Sequence, residues 1–330
     1  MTQKRGSRRG KVKYSCSSCS HWFQINRSRS SVDDGKLALL HLDGVPFRSL
    51  ADQSGLGVGT VFRRVNEVLS KLPHCADITR NFASKYTGIL LVDGKYVKVK
   101  GYDRKLPVVY GVDYQSHDIP SYRLGVNEGY LTLLKFFSSL KLANYPLQAM
   151  VCDDNQVIRD ACLNIFPRAV VQLCQNHYKQ NVRNCFDLKT DFLHLEFVHL
   201  IEDLLSRKRS LEDHNQRARY LFDKWKYDPI CLAILTDLAK SSDLLLGWRN
   251  FKGLPITTNL IECFNSHLQG RLKTIKGFES MSHADTWLNG YFLRRRTKKL
   301  TDCEGKFKPL NGKIPLQISK KPGIDIPIFF

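Results

Sequence analysis

The chain has 330 residues, 42% of them hydrophobic, which is enough to bury two or three domains' worth of core, and its 51 Lys+Arg against 31 Asp+Glu give a formal charge of +20. Such an excess attracts a polyanion by neutralising phosphates and releasing counterions, and a basic ribosomal or RNA-packaging protein would share the charge without needing so large a core. No uncharged run approaches the ~18 residues of a membrane span, and no apolar segment follows the basic N-terminus as in a signal peptide, so membrane and secreted classes are excluded as expectations. Ten cysteines, eight of them scattered singly through apolar stretches, read as mostly buried thiols of a reduced compartment: cytoplasmic and nucleoid-associated, or nuclear in a nucleated host.

The first 32 residues contain Lys4, Arg5, Arg8, Arg9, Lys11, Lys13, Arg27 and Arg29 and no acid, the composition of a flexible arm that tracks a nucleic-acid backbone. Within residues 1–31, Cys16-x-x-Cys19 followed by His21, Trp22 and Phe23 reads as half of a zinc ribbon. Tetrahedral zinc needs four ligands, and even with His21 only three are present, so zinc at Cys16 and Cys19 stays open. A redox Cys-x-x-Cys lacks its strand–helix setting here.

Residues 32–75 turn helical. Leu37, Leu39, Leu40 and Leu42 pattern a short helix, and Ser49 to Val65 has the layout of a helix-turn-helix, with Ala51 at the packing point, Gly55 at the turn and Val58, Val61 and Val65 facing inward. Thr60, Arg63, Arg64 and Asn66 are then candidate groove or phosphate contacts. Many three-helix units look the same without touching DNA; the charge favours DNA here.

Residues 85–189 alternate strands and helices. Ile89–Val92 is an apolar strand ending at Asp93 and extended by Tyr96–Val99; Leu106–Val112 and Ser121–Leu124 are two more. A helix follows over Tyr130–Leu142 with Leu131, Leu134, Phe137 and Leu140 on one side, then a strand Leu147–Cys152 ending at Asp153, a helix Val157–Ile165, a strand Ala169–Leu173 and a helix from Asn176. That order is the α/β order of a ribonuclease H-like fold, in which the first and fourth strands are neighbours and Asp93 meets Asp153. Residues 299–330, with four prolines among lysines, read as an extended arm that docks on a neighbour or on DNA.

Asp93, Asp153 and Glu262 are the candidate catalytic and metal-holding residues. Hard Mg²⁺ takes carboxylate oxygens, and two ions about 4 Å apart can serve the attacking and leaving oxygens of a phosphodiester. Asp93 is assigned as the bridging ligand, with Asp153 and Glu262 each on one ion. Singly, Asp93 could be a turn former before Gly94, Asp153 a helix cap, and Glu262 the partner of Asn259 in a capping box. Three acids at the ends of the right elements are hard to credit to caps alone. Of Asp153 and Asp154, the first is read as the ligand and the second as the cap of the next helix. Cys174 and His177 have metal-like spacing but are too few for zinc, and read as core packing or as a hydrogen bond behind the ligands. On the helix from Leu260, the stripe Ile261, Phe264, Leu268, Leu272 and Ile275 faces inward, leaving Asn265, Gln269, Lys273 and Lys276 for DNA. Trp225 and Trp248 read as core, with stacking on an unpaired base as the alternative.

Together these residues resemble the DDE transposases of bacterial insertion sequences related to Mutator-like elements. The likeness rests on Val92-Asp93-Gly94 with Tyr96–Val99; on Asp153 followed by Phe166-Pro167-Arg168-Ala169; on Gln172 to His177 and Asn181; and on Thr257-Thr258-Asn259-x-Ile261-Glu262-x-x-Asn265, Arg271 and Lys276-Gly277-Phe278. It covers about residues 85–295. The resemblance implies a retroviral-integrase-like catalytic domain, two Mg²⁺ ions, and cut-and-paste or copy-out movement of an element bounded by inverted repeats. It implies a helical insertion over residues 190–255, which are rich in helix formers, and a return to the catalytic domain over residues 256–298. Double-stranded DNA, as terminal repeats and target, is the expected partner, bound by a homodimer or higher oligomer. The alternative is a catalytically inactive, transposase-derived DNA-binding regulator. Segregation of the basic arm and helix-turn-helix into residues 1–72 predicts that residues 75–330 alone would still nick DNA.

Overall fold

The computed structural model describes residues 2–8, 11–24, 32–206 and 209–330; Arg9, Arg27 and Arg29 of the basic block lie outside them. Where described, the block is not a flexible arm. β1 (Thr2–Arg8), β2 (Lys11–Cys16) and β3 (Trp22–Gln24) form an antiparallel sheet in that order. Lys11 and Lys13 alternate with Val12 and Tyr14, a period of two that suits a pleated strand, and Tyr14 stacks on Phe23 of β3 at 5.9 Å.

Four helices follow: α1 (Asp34–Leu42), α2 (Phe47–Ser54), α3 (Val58–Ser70) and α4 (Cys75–Phe82). Asp33 caps α1 by accepting from the Gly35 N–H at 2.9 Å, and Gly55 ends α2 in the left-handed region (φ 66°), where a residue without Cβ is unstrained. Val61, Val65 and Leu69 of α3 are buried. Val58 is 45% exposed, against expectation: as the first residue of α3 it precedes the turn that packs.

The central sheet comprises β4 (Ile89–Val97), β5 (Leu106–Asp113), β6 (Tyr122–Leu124), β7 (Ala149–Cys152) and β8 (Val170–Leu173), in the order β6-β5-β4-β7-β8. β4, β5 and β6 pair antiparallel, whereas β4, β7 and β8 pair parallel, their crossovers made by α5 (Tyr130–Leu142) and α6 (Gln156–Ile165). α7 (Gln175–Asn184) leads to α8 (Leu195–Ser206), α9 (Leu211–Trp225) and α10 (Pro229–Leu245). The chain returns through α11 (Asn259–Ile275) and α12 (Met281–Thr297) and ends after the short α13 (Pro315–Ser319).

Side chains alternate across β4, so the sheet separates two cores. Leu90 and Val92 pack with Phe136, Phe137 and Ile158 and, farther out, with Phe197, Trp225 and Leu235 of α8–α10. Trp225 is thus a core residue, while Trp248 is partly buried beneath Arg249, whose guanidinium lies 4.7 Å from the ring. Ile89 and Leu91 pack on the other side with Phe264, Leu268, Trp287 and Phe292, in one continuous core with Leu42, Leu50, Val61 and Leu69 of α1–α3.

Two expectations change. The buried face of α5 is Leu133, Phe136, Phe137 and Leu140, with Leu131 69% exposed. Both stripes contain Phe137 and Leu140, and burying the larger Phe136 settles the phase. The C-terminal segment, read as an arm for a neighbour or DNA, packs on its own chain. Leu316 is fully buried, Ser319 Oγ donates to Asp118 Oδ2 at 2.7 Å, and Lys320 forms a β-bridge with Ala83.

Candidate active site

Leu91 of β4 pairs with Val151 of β7, and two residues beyond each lie Asp93 and Asp153. Parallel register therefore brings the two carboxylates side by side at the edge of the sheet's crevice. Asp93-Gly94 sits inside a continuous strand, so Asp93 is not a turn former. Asp93 faces the side covered by α11: its Oδ1 accepts from the Gly94 N–H at 2.7 Å, and its Oδ2 accepts from Asn265 Nδ2 at 2.6 Å. Tyr110, opposite Asp93 on β5, donates its hydroxyl to Asn265 Oδ1 at 2.8 Å.

Asn265, expected to face DNA, is instead only 4% exposed and aims at Asp93. Its position follows from helix spacing: three residues past Glu262 and one past Phe264, it lies on the sheet-facing side of α11. Gln269 is half-buried, and Lys273 and Lys276 are exposed, the latter closing α11 with φ 64°.

Burial, the main cause, together with the nearby Asp153 charge, pushes the Asp93 carboxyl up to about 6. Burial likewise raises Asp153, whose Oδ1 is buried with no hydrogen-bond partner. A buried carboxylate oxygen left unpaired is costly, and a cation is the partner that would satisfy it. Asp154 points elsewhere, accepting from Arg159 Nη1 at 2.6 Å. The cap of α6 is Asn155, which accepts from the Val157 N–H at 3.0 Å, so Asp154 does not cap as expected.

Glu262 reaches the site from α11. Thr258 is the N-cap residue and Asn259 already the first helical position, so the Asn259–Glu262 capping box, the alternative reading of Glu262, does not form. Asn259 Oδ1 instead accepts from Asn176 Nδ2 at 2.8 Å. The Glu262 carboxylate, half-exposed, accepts from Thr258 Oγ1 at 2.7 Å and lies 3.9 Å from His177 Nε2.

Cys174, His177 and Glu262 place one ligand atom each within 4.8 Å of one another. Cys174 is buried, accepting from the Thr258 N–H at 3.3 Å, with Thr258 Oγ1 3.1 Å from its sulfur; this fixes the start of α11 against the end of β8. Burial would raise the Cys174 thiol, but His177 and Thr258 together hold it below its ordinary value. The hydrogen bond to Cys174 is the main cause that pushes His177 up to about 9, aided by Glu262 and Asp93. Its neighbours thus favour the protonated form of His177 beside the three acids. At the rim, Tyr96 donates to Glu128, whose Oε1 would stand 3.4 Å from a Cβ added at Gly94. Sequence reasoning missed Tyr110, Thr258 and Glu128; pairing β4 with β5 would have placed Tyr110, and nothing local marks Glu128.

The other predicted residues lie apart from this cluster. On α3, Arg63 is exposed with Glu67 4.0 Å away; Arg64 is half-buried and paired with Asp34 at 3.2 Å; Thr60 is half-buried, and Asn66 Nδ2 donates to the Phe62 carbonyl at 2.9 Å. Arg63 and Asn66 edge a groove completed by Ser280, His283 and Thr286 of α12 and its cap. In the N-terminal sheet, Cys16 and Cys19 bracket a turn in which the Ser18 backbone N–H, chiefly, lowers the Cys16 thiol, an arrangement that suits a metal knuckle. No third His, Cys, Asp or Glu joins them among the described residues, so His21 is not in place as a ligand.

Comparison with known proteins gives the class first. Residues 58–286, more than two thirds of the chain, match the family described as "Transposase, Mutator family". The chain belongs to the Mutator family of transposases, enzymes that cut and transfer DNA. Among solved structures it is similar to the Drosophila P element transposase strand transfer complex, at 11% identity and a TM-score of 0.47, over 82% of this chain and 94% of that one. No curated protein matches the sequence. Among the described residues, no helix is long and apolar enough to cross a membrane.

Proposed function

We propose that this transposase binds the terminal inverted repeats of its element and cleaves and transfers DNA strands at a two-metal site made by Asp93, Asp153 and Glu262 in a ribonuclease H-like domain. The observation that carries the reading is the pairing of Asp93 with Asp153 across parallel β4 and β7, with Asp153 Oδ1 buried and unpartnered and α11 aiming Glu262 from the facing side. The donor set fits Mg²⁺: carboxylate oxygens, two of them with raised affinity for positive charge because they are desolvated. When bound, such ions would polarise the scissile phosphate and stabilise its leaving oxygen. The chain's own task is orientation. Asn265 fixes the Asp93 carboxylate plane, and Thr258 fixes Glu262. Cys174 anchors Thr258, and His177 supplies a positive charge beside Glu262. We further read Arg63, Asn66, Gln269, Lys273 and Lys276 as DNA contacts; Arg64, held by Asp34, serves DNA only by letting that partner go.

Cleavage of a labelled duplex carrying the element's end tests this. Mg²⁺ or Mn²⁺ should support cutting, Ca²⁺ binding only. Asp153→Asn should abolish cutting while leaving folding and DNA binding intact, and Asp154→Asn should cut normally. Cleavage that survives exhaustive chelation, or persists in Asp153→Asn, would refute the assignment.

A further inference from the structure

Two other groupings of metal-ligating side chains occur among the described residues. In the first, His194, Asp228 and Cys231, every donor already has work: the His194 nitrogens face Asp191 and Asp228, and Asp228 caps α10 through the Cys231 N–H at 2.8 Å. In the second, His267 and Asp302 hold each other, but both stand beside a thiol. Cys263 and His267 stand one turn apart on a single face of α11, and Asp302 comes from the segment after α12, their ligand atoms all within 4.8 Å of one another. His267 Nε2 lies 2.8 Å from Asp302 Oδ2. The adjacent Cys303 has its sulfur 3.6 Å from His117 Nδ1.

Cys263, Asp302, Cys303 and His117 line one cavity of about 520 Å³. His117 is 3% exposed, yet its Nε2 has no hydrogen-bond partner, an uncommon and costly state for a buried imidazole. We propose that Cys263, His267 and Asp302 bind zinc, with Cys303, which stands outside that grouping beside His117, turning in as fourth ligand, and so pin the segment after α12 to the helix that carries Glu262.

The donor chemistry selects the ion. Thiolate, imidazole and carboxylate together are a zinc set, whereas Mg²⁺ rejects sulfur. The spacing needs only small adjustment: with zinc bonds of about 2.0–2.1 Å to nitrogen and oxygen, tetrahedral ligands sit about 3.3 Å apart, so His267 and Asp302 must part by roughly half an ångström as the ion replaces their shared proton. Cys263, within 4.8 Å of both, must close in as well, and Cys303 must turn in from beside His117. Arg295 also lines the cavity and opposes a cation there, an opposition that the thiolates and Asp302 offset. Because Cys263 directly follows Glu262, the ion would brace α11 immediately behind the acidic site. Binding must displace the thiol protons and the proton shared by His267 and Asp302.

The test uses the full chain carrying Cys16→Ser and Cys19→Ser, so that the N-terminal thiols contribute nothing. After equilibration with Zn²⁺ and dialysis, metal content is measured by mass spectrometry, and Co²⁺ substitution is followed by thiolate-to-metal charge-transfer absorbance. We expect one retained zinc per chain and a Co²⁺–thiolate band, both weakened by roughly 100-fold in affinity in Cys263→Ser and in His267→Gln, and both unchanged in Cys174→Ser. His267→Gln keeps every cysteine and a polar side chain, so it reads the site even if Cys263→Ser misfolds. Zinc that is absent, that ignores both substitutions, or that disappears with Cys174→Ser instead would overturn the proposal, as would a Cys263–Cys303 disulfide in protein that takes up no metal.

Discussion

Asp93 is buried by the sheet and by α11, and its surroundings suit a cation better than they suit bare charge. With Asn265 donating at 2.6 Å, one carboxylate oxygen is held while the site stays open to a second partner. Asn265→Leu removes that donor and leaves the Tyr110 hydroxyl without its acceptor, so metal-dependent cleavage should fall about 10- to 100-fold with DNA binding unchanged. A loss confined to DNA affinity would restore Asn265 to the DNA-facing role that sequence suggested. The pH dependence follows from the same burial. Asp93, raised to about 6 in the fold against about 3.9 unfolded, stabilises the metal-free fold fully below its unfolded value, and that stabilisation is lost as pH rises through about 6. Above pH 6 a divalent ion relieves the unpaired charge; below it the proton competes. The Mg²⁺-induced rise in Tm should therefore be larger at pH 7.5 than at pH 5.5. In Asp93→Asn, metal-free stability at pH 7.5 should exceed that of wild type, and the Mg²⁺ effect should shrink.

Asp153 and Glu262 are delivered by the ends of elements, Asp93 from within β4. β7 stops at Cys152, and α6 begins only at Gln156, so the intervening residues divide the labour: Asp153 faces the site, Asp154 pairs with Arg159, and Asn155 caps the helix. Asn155→Ala should then cost about 1 kcal/mol of unfolding free energy, and Asp154→Ala less, because its partner is a part-exposed ion pair; equilibrium urea denaturation separates the two. The α3–α12 contact is tighter. A Cβ at Gly290 would stand 2.8 Å from Leu69 Cδ2, so Gly290→Val should destabilise by about 1–3 kcal/mol through overpacking, read as a lower urea midpoint. Retained stability would mean that the N-terminal helices pack loosely on the sheet domain.

On the scale of the whole molecule, the helices over residues 34–70 share their core with the sheet through α12, so removing them strips the Leu42 and Leu69 cover from α12 around Gly290 rather than freeing a domain. Residues 75–330 alone should show a lower Tm and a tendency to aggregate, against the independence that sequence segregation suggested. Arg296 is the second tie. It is 0% exposed and donates to both Asp118 oxygens at 2.8 and 2.9 Å and to the Cys75 carbonyl at 2.7 Å, while Tyr86 and Ser319 donate to the same carboxylate. α4, the loop after β5, α12 and α13 meet there. Arg296→Leu strands Asp118 among buried donors without its cation, and should cost about 3–5 kcal/mol in urea unfolding.

The elements that sequence located well are those whose signal is local: β4 through its apolar run, α5 and α6 through their periodicity, α2 through Gly55. The three acids stood out in the sequence by their places, Asp93 after the apolar run of β4, Asp153 just past β7 and Glu262 in the first turn of α11, and the neighbouring of β4 and β7 was legible because strand–helix order restricts a sheet's connectivity. What sequence could not decide needs partners distant in the chain. Whether Asn265 meets DNA or Asp93 depends on how α11 lies across β4, 172 residues earlier. Which stripe of α5 is buried depends on the sheet it covers, and whether the proline-bearing C-terminal segment docks on its own chain or on another partner depends on Asp118, 201 residues before Ser319. Charge hid the N-terminal strands, since lysines on alternate positions solvate an arm and a sheet edge equally well. Local propensity and pattern specify the pieces; burial, which depends on the whole chain, specifies which face of each piece meets which other.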